Sequence, residues 1–229
     1  LGTENFDPGQ LEWDTQYFWR IDAVNDVAAG SPWEGEVWNF KTANFLVIDD
    51  FEDYKIGYNE IWWSWVDGLG YGEHDGVPAY AGNGTGSAVG EETTASYMEE
   101  TIVNGGRKSL PVFYDNSVAA ISEVTLTLDG IDLTQNGGAT LRIYFRGVPD
   151  NAADPLYVTL NGSLPVIHED SAAAQISAWQ PWDIPLQSFV DKGATVTNAT
   201  SITLGVGDKI GMQAGGTGTM YYDDVVVLP

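Results

Sequence analysis

The chain has 229 residues, with 33 acidic and 9 basic side chains and a formal net charge of −24. This charge argues against nucleic acid and anionic lipid as partners, because both need a basic surface. The hydrophobic content of 43% excludes a disordered chain, and the absence of cysteine excludes disulfides and thiolate metal sites. No run of about 18 apolar residues occurs, so we expect no membrane insertion.

Alternation of apolar and polar residues dominates the chain and predicts β-strands. In chain order it covers 17–25, 36–43, 122–130, 139–147, 156–162, 200–207 and 219–228, each bounded by Gly, Asn, Asp or Pro. The nearest candidate for a helix is the short stretch "DSAAAQISAW". The pattern therefore predicts an all-β sandwich.

The first expected unit covers residues 1–44. Its sequence "LEWDTQYFWRIDAVNDVAAGSPWEGEVWNFKTA" resembles the C-terminal half of a fibronectin type III domain over residues 3–43, and Tyr17 stands where that family places its tyrosine corner. The first strands of that fold are missing from this stretch. We therefore expect a partial β segment with an open edge that is able to pair with another chain.

The second expected unit covers residues 45–229. It opens with "FLVIDDFEDY", closes with "GTMYYDDVVVLP", and contains "ATLRIYFRG" and "WQPWDIPL" between them. These segments resemble the jelly-roll modules of the galactose-binding-like superfamily, which includes many non-catalytic carbohydrate-binding modules of bacterial enzymes. The resemblance implies a jelly-roll β-sandwich whose first and last strands lie close together.

Acidic residues crowd both of these terminal strands. If the strands are neighbours, as the resemblance implies, their carboxylates converge, and oxygen ligands of this kind suit Ca²⁺. Modules of this superfamily commonly hold a structural Ca²⁺ at that place. The candidate ligands are Glu52 and Asp224 first, then Asp50 and Asp223. The alternative is that these acidic side chains only point into solvent at the end of a strand and bind no metal.

The stretch "YNEIWWSWVDGLGYG" holds three tryptophans in four positions. On a strand, Trp63 and Trp65 share one face, which we expect to be the core, while Trp62 points to the other face. Trp62 is then free to stack on the apolar face of a sugar, unless it closes the end of the sandwich as an ordinary core residue. In the Gly-rich loop 67–90, the next candidates are Tyr71, His74 and Tyr80.

Arg142 and Arg146 lie on one face of the strand predicted over 139–147. They either rim a concave sugar site or neutralise part of the acidic surplus. Trp179 and Trp182, three residues apart, are expected to serve packing.

No catalytic motif accompanies these residues. Ser87 lacks the strand–turn–helix context of a nucleophile elbow, and His74 and His168 have no partner at ligand spacing. We therefore expect no enzyme. The favoured hypothesis is a Ca²⁺-stabilised carbohydrate-binding module that tethers a secreted or cell-surface bacterial protein to polysaccharide. The alternative is a structural or adhesive repeat of an extracellular assembly, which binds copies of itself or other surface proteins through its open N-terminal strands.

Overall fold

The structure is a computed structural model that describes residues 6–9 and 11–229. Its first element is an antiparallel hairpin of β1 (Gln16–Trp19) and β2 (Trp38–Lys41). Both strands are shorter than the alternation predicted. In the part of the chain that the structure describes, this hairpin pairs with neither of the two larger sheets.

The remaining residues form a two-sheet body. Its strands are β3 (Leu46–Asp49), β4 (Trp65–Val66), β5 (Ser87–Val89), β6 (Leu110–Asp115), β7 (Ile121–Ile131), β8 (Thr140–Arg146), β9 (Leu156–Leu160), β10 (Val166–Ile167), β11 (Gln180–Pro185), β12 (Ala199–Gly207) and β13 (Thr217–Leu228). Three short helices, α1 (Ile61–Ser64), α2 (Asn116–Ala119) and α3 (Leu186–Val190), connect them. None of the helices among the described residues is long and apolar enough to cross a bilayer. The stretch proposed as a helix candidate forms only a single 3₁₀ turn, Ala173–Gln175.

One sheet has the strand order β10-β9-β12-β7-β4, and the other has the order β11-β8-β13-β6-β5, with β3 also paired to β13. From β6 to β9, and again from β10 to β13, consecutive strands alternate between the two sheets. This is the connectivity of a jelly roll, so the predicted all-β jelly-roll sandwich is confirmed. The first and last strands of the body are direct neighbours, since Val225 of β13 pairs with Asp49 of β3.

Strand β8 shows how the sequence pattern builds the core. Leu141, Ile143 and Phe145 are buried between the sheets, while Arg142 and Tyr144 point to the opposite side. The same alternation places an outward residue on each neighbouring strand. We call the side of this sheet that faces away from the core the outer face. It carries Arg142, Tyr144 and Arg146 of β8, Tyr221 of β13 and Phe113 of β6.

Trp65 is fully buried and is tied to β3 through a half-buried carboxylate, that of Asp49. Asp49 accepts hydrogen bonds from the Trp65 indole nitrogen (2.8 Å) and from the Tyr54 hydroxyl (2.6 Å). Burial raises the pKa of the Asp49 carboxyl above its ordinary value, and these two donors act against that shift. The core position predicted for Trp65 is therefore confirmed, and its indole N–H is satisfied.

Gly205 in β12 lies directly under the ring of Tyr157 in the paired strand β9. A Cβ atom on Gly205 would lie 2.2 Å from ring carbons of Tyr157. That ring has little freedom to move, because Tyr157 is buried and its hydroxyl donates to Glu123 (2.9 Å).

We expect Gly205→Ala to lower the free energy of unfolding by about 1–3 kcal/mol, the usual cost of overpacking a closed core. Chemical denaturation measures this change. Gly72→Ala is the matched control, because a Cβ atom at Gly72 meets no atom within 4 Å. A Gly205→Ala variant as stable as the parent chain would contradict the close packing of Tyr157 on Gly205.

Candidate functional site

The three clustered tryptophans separate because the chain forms a helical turn at α1 and no strand there. Trp65 enters the core, and Trp62 is half-buried against the edge of that core. Trp63 points elsewhere and stacks on His74, with ring centroids 3.8 Å apart and an interplanar angle of 7°. The expectation that Trp63 belongs to the core is wrong, because the helical turn breaks the two-residue alternation on which it rested.

Trp62 forms one wall of a cleft of about 640 Å³ at the β5–β6 edge of the six-stranded sheet. Its ring contacts Tyr97 edge-on, with centroids 4.9 Å apart, and lies over Gly90. Tyr71 and Phe113 also line this cleft. The polar residues around it are Asp67, Glu91, Glu92 and Thr93. We call this the Trp62 cleft.

Loop 67–90 is ordered by a short antiparallel bridge and by a row of aromatic rings. Tyr71 and Tyr80 exchange two backbone hydrogen bonds of 2.8 and 2.9 Å. The Tyr71 ring contacts both Tyr80 (5.6 Å) and His74 (5.3 Å). The loop predicted to bind therefore holds Tyr71 at the Trp62 cleft, while His74 and Tyr80 contact the Tyr71 ring and do not line the cleft.

Asp67 anchors this loop to the sheet. Its side chain is 2% exposed and accepts amide hydrogen bonds from Leu69 (2.9 Å), Gly70 (3.0 Å) and Val89 (2.8 Å). Val89 belongs to β5, so one carboxylate joins the loop to the strand that forms the floor of the cleft. The Trp62 cleft is therefore held in shape before any ligand arrives.

The two arginines of β8 differ in their environments, although both lie on the outer face. Arg142 binds Asp183 of β11 through two hydrogen bonds, from Nε and Nη2, each 2.6 Å long. This ion pair lowers the pKa of the Asp183 carboxyl, chiefly through the hydrogen bonds. Arg142 therefore neutralises an acidic side chain, which is one of the two roles predicted for the two arginines of β8. Arg146 lies opposite Tyr221 of β13.

Sequence reasoning brought together only part of this site. Trp62 and Tyr71 share the cleft, but Arg142 and Arg146 lie across the sheet from it, because β13 and β6 separate β8 from β5. Tyr97 and Phe113 were missed. Phe113 carried no signal in "LPVFYD", where apolar and polar residues do not alternate, and its exposure between buried Val112 and Tyr114 emerged only in the structure. Tyr97 carried none, because its segment has no periodic pattern.

The acidic residues of the two terminal strands converge on the turn 104–108. Glu52 accepts from the Arg107 and Lys108 amides (2.8 and 2.9 Å), and Asp223 accepts from the Asn104 and Gly105 amides (2.8 and 3.1 Å). Asp224 accepts from the Asn104 side chain (2.9 Å). The predicted approach of Glu52 to Asp224 is therefore present, with a turn held between the two carboxylates.

The donors of this turn occupy oxygens that a cation would need. The Lys108 ammonium donates to the backbone carbonyls of Glu52 and Tyr54, each at 2.7 Å. Asp50 is used locally and accepts from the Glu52 amide (3.2 Å). Over residues 6–9 and 11–229, no group of three or more acidic or histidine side chains is arranged to hold a metal ion. Burial raises the pKa of the Asp223 carboxyl to about 7, against the effect of its amide donors.

Comparison with known proteins finds similarity only among solved structures. No family model and no curated protein matches the chain. A family 11 carbohydrate-binding module from Clostridium thermocellum, in complex with a β-1,3-1,4-mixed-linked tetrasaccharide, is 14% identical, with 80% of this chain and 95% of that chain covered and a TM-score of 0.49. The family 11 module of the cellulosomal cellulase Lic26A-Cel5E from the same organism is 13% identical, at 80% and 94% coverage and a TM-score of 0.48. A β-1,2-glucanase from Parabacteroides distasonis is 17% identical, at 63% and 23% coverage and a TM-score of 0.41. Likeness at this level does not identify a ligand for this chain.

Proposed function

We propose that this chain is a non-catalytic polysaccharide-binding module of a secreted or cell-surface protein. The observation that carries the proposal is the Trp62 cleft, in which four aromatic side chains surround a space bordered by carboxylates. Sugars offer flat C–H faces ringed by hydroxyl groups. A site with aromatic rings beside hydrogen-bond acceptors matches both features.

The arrangement of acids supports binding more than catalysis. Both oxygens of Asp67 accept amide hydrogen bonds from its own chain, so this carboxylate is a structural anchor. Glu91 accepts from the Thr93 amide (3.0 Å) and, together with Glu92, offers acceptors for sugar hydroxyls at the rim. Because the loop is already ordered, little conformational entropy is lost when a ligand binds. Each sugar–aromatic contact is modest, so useful affinity for a polymer comes from several contacts or several copies.

We expect Trp62→Ala to abolish the retardation of the protein in native gels that contain a polysaccharide ligand, because the indole forms the wall of the cleft. Gels with mixed-linked β-glucan, xylan and galactan provide the measurement. Tyr58→Ala, which removes a 75% exposed aromatic ring that does not line the cleft, is the control and should migrate like the parent chain.

Trp62 also packs on the core, so a second variant separates binding from folding. Phe113→Ala removes an outward ring from β6 and should weaken retardation with little change in melting temperature. If both variants migrate like the parent chain in a gel that retards the parent chain, the assignment of the cleft as the binding site is contradicted. Failure of every polysaccharide to retard the parent chain would contradict the proposed function.

We further propose that Ca²⁺ stabilises the fold at Glu52, Asp223 and Asp224. The convergence of these carboxylates from both terminal strands supports the proposal, although the turn 104–108 now occupies several of their oxygens. A cation would have to share or displace those amide donors, and backbone carbonyls would complete its oxygen ligands.

If Ca²⁺ is bound there, EGTA should lower the melting temperature by several degrees, because a ligand that binds only the native state stabilises it by mass action. Differential scanning calorimetry with and without EGTA measures the shift. Added Ca²⁺ should restore the original value. An unchanged melting temperature after chelation would rule out the structural ion.

The N-terminal hairpin favours a second candidate function, that of a subunit of an extracellular assembly. Its two strands stack Trp19 on Trp38 with centroids 6.2 Å apart, yet these residues remain 48% and 57% exposed. A two-stranded hairpin alone is marginally stable, and exposed apolar patches commonly mark interaction sites.

The Tyr17 hydroxyl accepts a hydrogen bond from the Glu12 amide (2.8 Å), which is the type of contact that a tyrosine corner makes. The fibronectin type III identity of this unit stays a prediction.

If the hairpin joins a second copy through its open strand edges, the intact chain should self-associate as its concentration rises. Replacing Trp19 and Trp38 together by alanine should shift it to the monomer, because the apolar face that supports the contact is lost. Sedimentation equilibrium measures both states. A parent chain that stays monomeric at the highest attainable concentration would contradict this candidate.

A further inference from the structure

The walls of the Trp62 cleft are aromatic, and a ligand can reach them. Trp62, Tyr71 and Tyr97 are half-buried, so part of each ring is open to the cleft. Phe113 is 37% exposed. The Trp62 and Tyr97 rings have centroids only 4.9 Å apart, so a single group bound between them is able to lie within about 6 Å of both. The face of an aromatic ring is electron-rich and attracts a cation at that distance.

The charge beside these rings has one sign. Glu91 and Glu92 line the cleft, and its described lining contains no lysine or arginine. Both glutamates belong to residues 91–100, "EETTASYMEE", which hold four glutamates and no basic residue and which also supply Tyr97. Walls of low polarity focus the field of such carboxylates into the cleft. A negative potential therefore coincides with the aromatic walls.

Hydrogen bonds fix Glu91 close to Tyr97. The Glu91 amide donates to the Tyr97 carbonyl (2.7 Å), and the Thr94 amide donates to the Glu91 carbonyl (3.2 Å). The Thr93 amide donates to Oε1 of Glu91 (3.0 Å). This last bond orients the half-buried carboxylate and leaves Oε2 available to a ligand.

The field of these glutamates extends to the neighbouring strand β13. The pKa of the Tyr221 hydroxyl lies above its ordinary value, first because of burial and then because of Glu99 and Glu91, while Arg146 acts in the opposite direction. Arg146 belongs to β8, which β13 and β6 separate from the cleft edge of the sheet. The positive charge of the outer face is therefore remote from the aromatic walls, and the negative charge is next to them.

From these observations we infer that the Trp62 cleft binds a polysaccharide whose sugars carry protonated amino groups, as in polymers of glucosamine. An ammonium group is attracted there both by the faces of the rings and by the Glu91 carboxylate. A neutral sugar gains only stacking and ordinary hydrogen bonds, and a sugar carboxylate is repelled by Glu91 and Glu92. This assignment rests on the proposed function, because it specifies the class of polysaccharide that the same cleft takes.

Three β-1,4-linked hexasaccharides that differ only in the substituent at C2 test the assignment. The glucosamine hexamer carries an ammonium group there, the N-acetylglucosamine hexamer an acetamide, and cellohexaose a hydroxyl group. Affinities are measured by isothermal titration calorimetry at about pH 5.5, where amino groups are protonated. Salt near 0.15 M screens charges more than about 8 Å apart, which limits attraction of the cationic ligand to the rest of the acidic surface.

We expect the glucosamine hexamer to bind at least about tenfold more tightly than either neutral hexamer, in line with the usual strength of cation–π contacts and of hydrogen bonds to charged groups. Glu91→Gln removes the charge and keeps an acceptor for the Thr93 amide. This variant should lose most of the preference for the glucosamine hexamer and should bind cellohexaose about as the parent chain does.

Two further variants separate the cleft from the acidic surface as a whole. Glu169→Gln is the matched control, because it removes the same charge from an exposed position that does not line the cleft, and it should keep the preference. Phe113→Ala leaves the charge unchanged and should weaken the binding of the glucosamine hexamer, because the ligand loses part of the aromatic wall. Thermal melts show that each variant is folded.

Four outcomes would overturn the inference. They are equal affinity for the glucosamine hexamer and the neutral hexamers, a Glu91→Gln variant that keeps the full preference, a Glu169→Gln variant that loses it, and binding of the glucosamine hexamer that Phe113→Ala leaves unchanged. If neutral hexamers bind in a Trp62-dependent manner without any preference for the amino sugar, the inference fails and the proposed function stands. If no hexamer and no polysaccharide binds, the proposed function fails as well.

Discussion

The position of β13 in the middle of its sheet is the constraint on which the rest of the body depends. It pairs with β8 along one edge and with β6 and β3 along the other. Met220, Tyr222, Val225 and Val227 of this strand enter the core between the sheets. Because β3 and β13 are neighbours, the two ends of the unit 45–229 are joined by backbone hydrogen bonds.

The same strand organises the outer face. Tyr221 points outward beside Arg146, and a register shift between Asp223 and Val226 turns both aspartates of the strand toward the turn 104–108. Asp223 is 0% exposed and Asp224 has a positive φ of 45°, as expected where a strand bulges. The terminal acids are therefore first of all part of the packing of this turn, and calcium would act on an arrangement that already exists.

Two carboxylates position aromatic side chains in this acidic chain. Asp49 fixes the Trp65 indole, and Asp67 fixes the loop that carries Tyr71. Each accepts several N–H or O–H donors, which offsets the cost of removing its charge from water.

Local pattern determined five of the eleven strands of the body and little of the candidate site. A strand that lies between core and solvent must alternate apolar and polar residues. This alternation correctly predicted β7, β8, β9, β12 and β13 from residues 122–130, 139–147, 156–162, 200–207 and 219–228. The same rule failed at Trp62 and Trp63, because the chain forms the helical turn α1 there in place of the expected strand. The tertiary structure alone brought Tyr97 to Trp62 and set Asp183 on Arg142. These two contacts join residues that are 35 and 41 positions apart. Sheet register, which no local pattern encodes, places Asp183 opposite Arg142, and the packing of an irregular segment places the Tyr97 ring on Trp62.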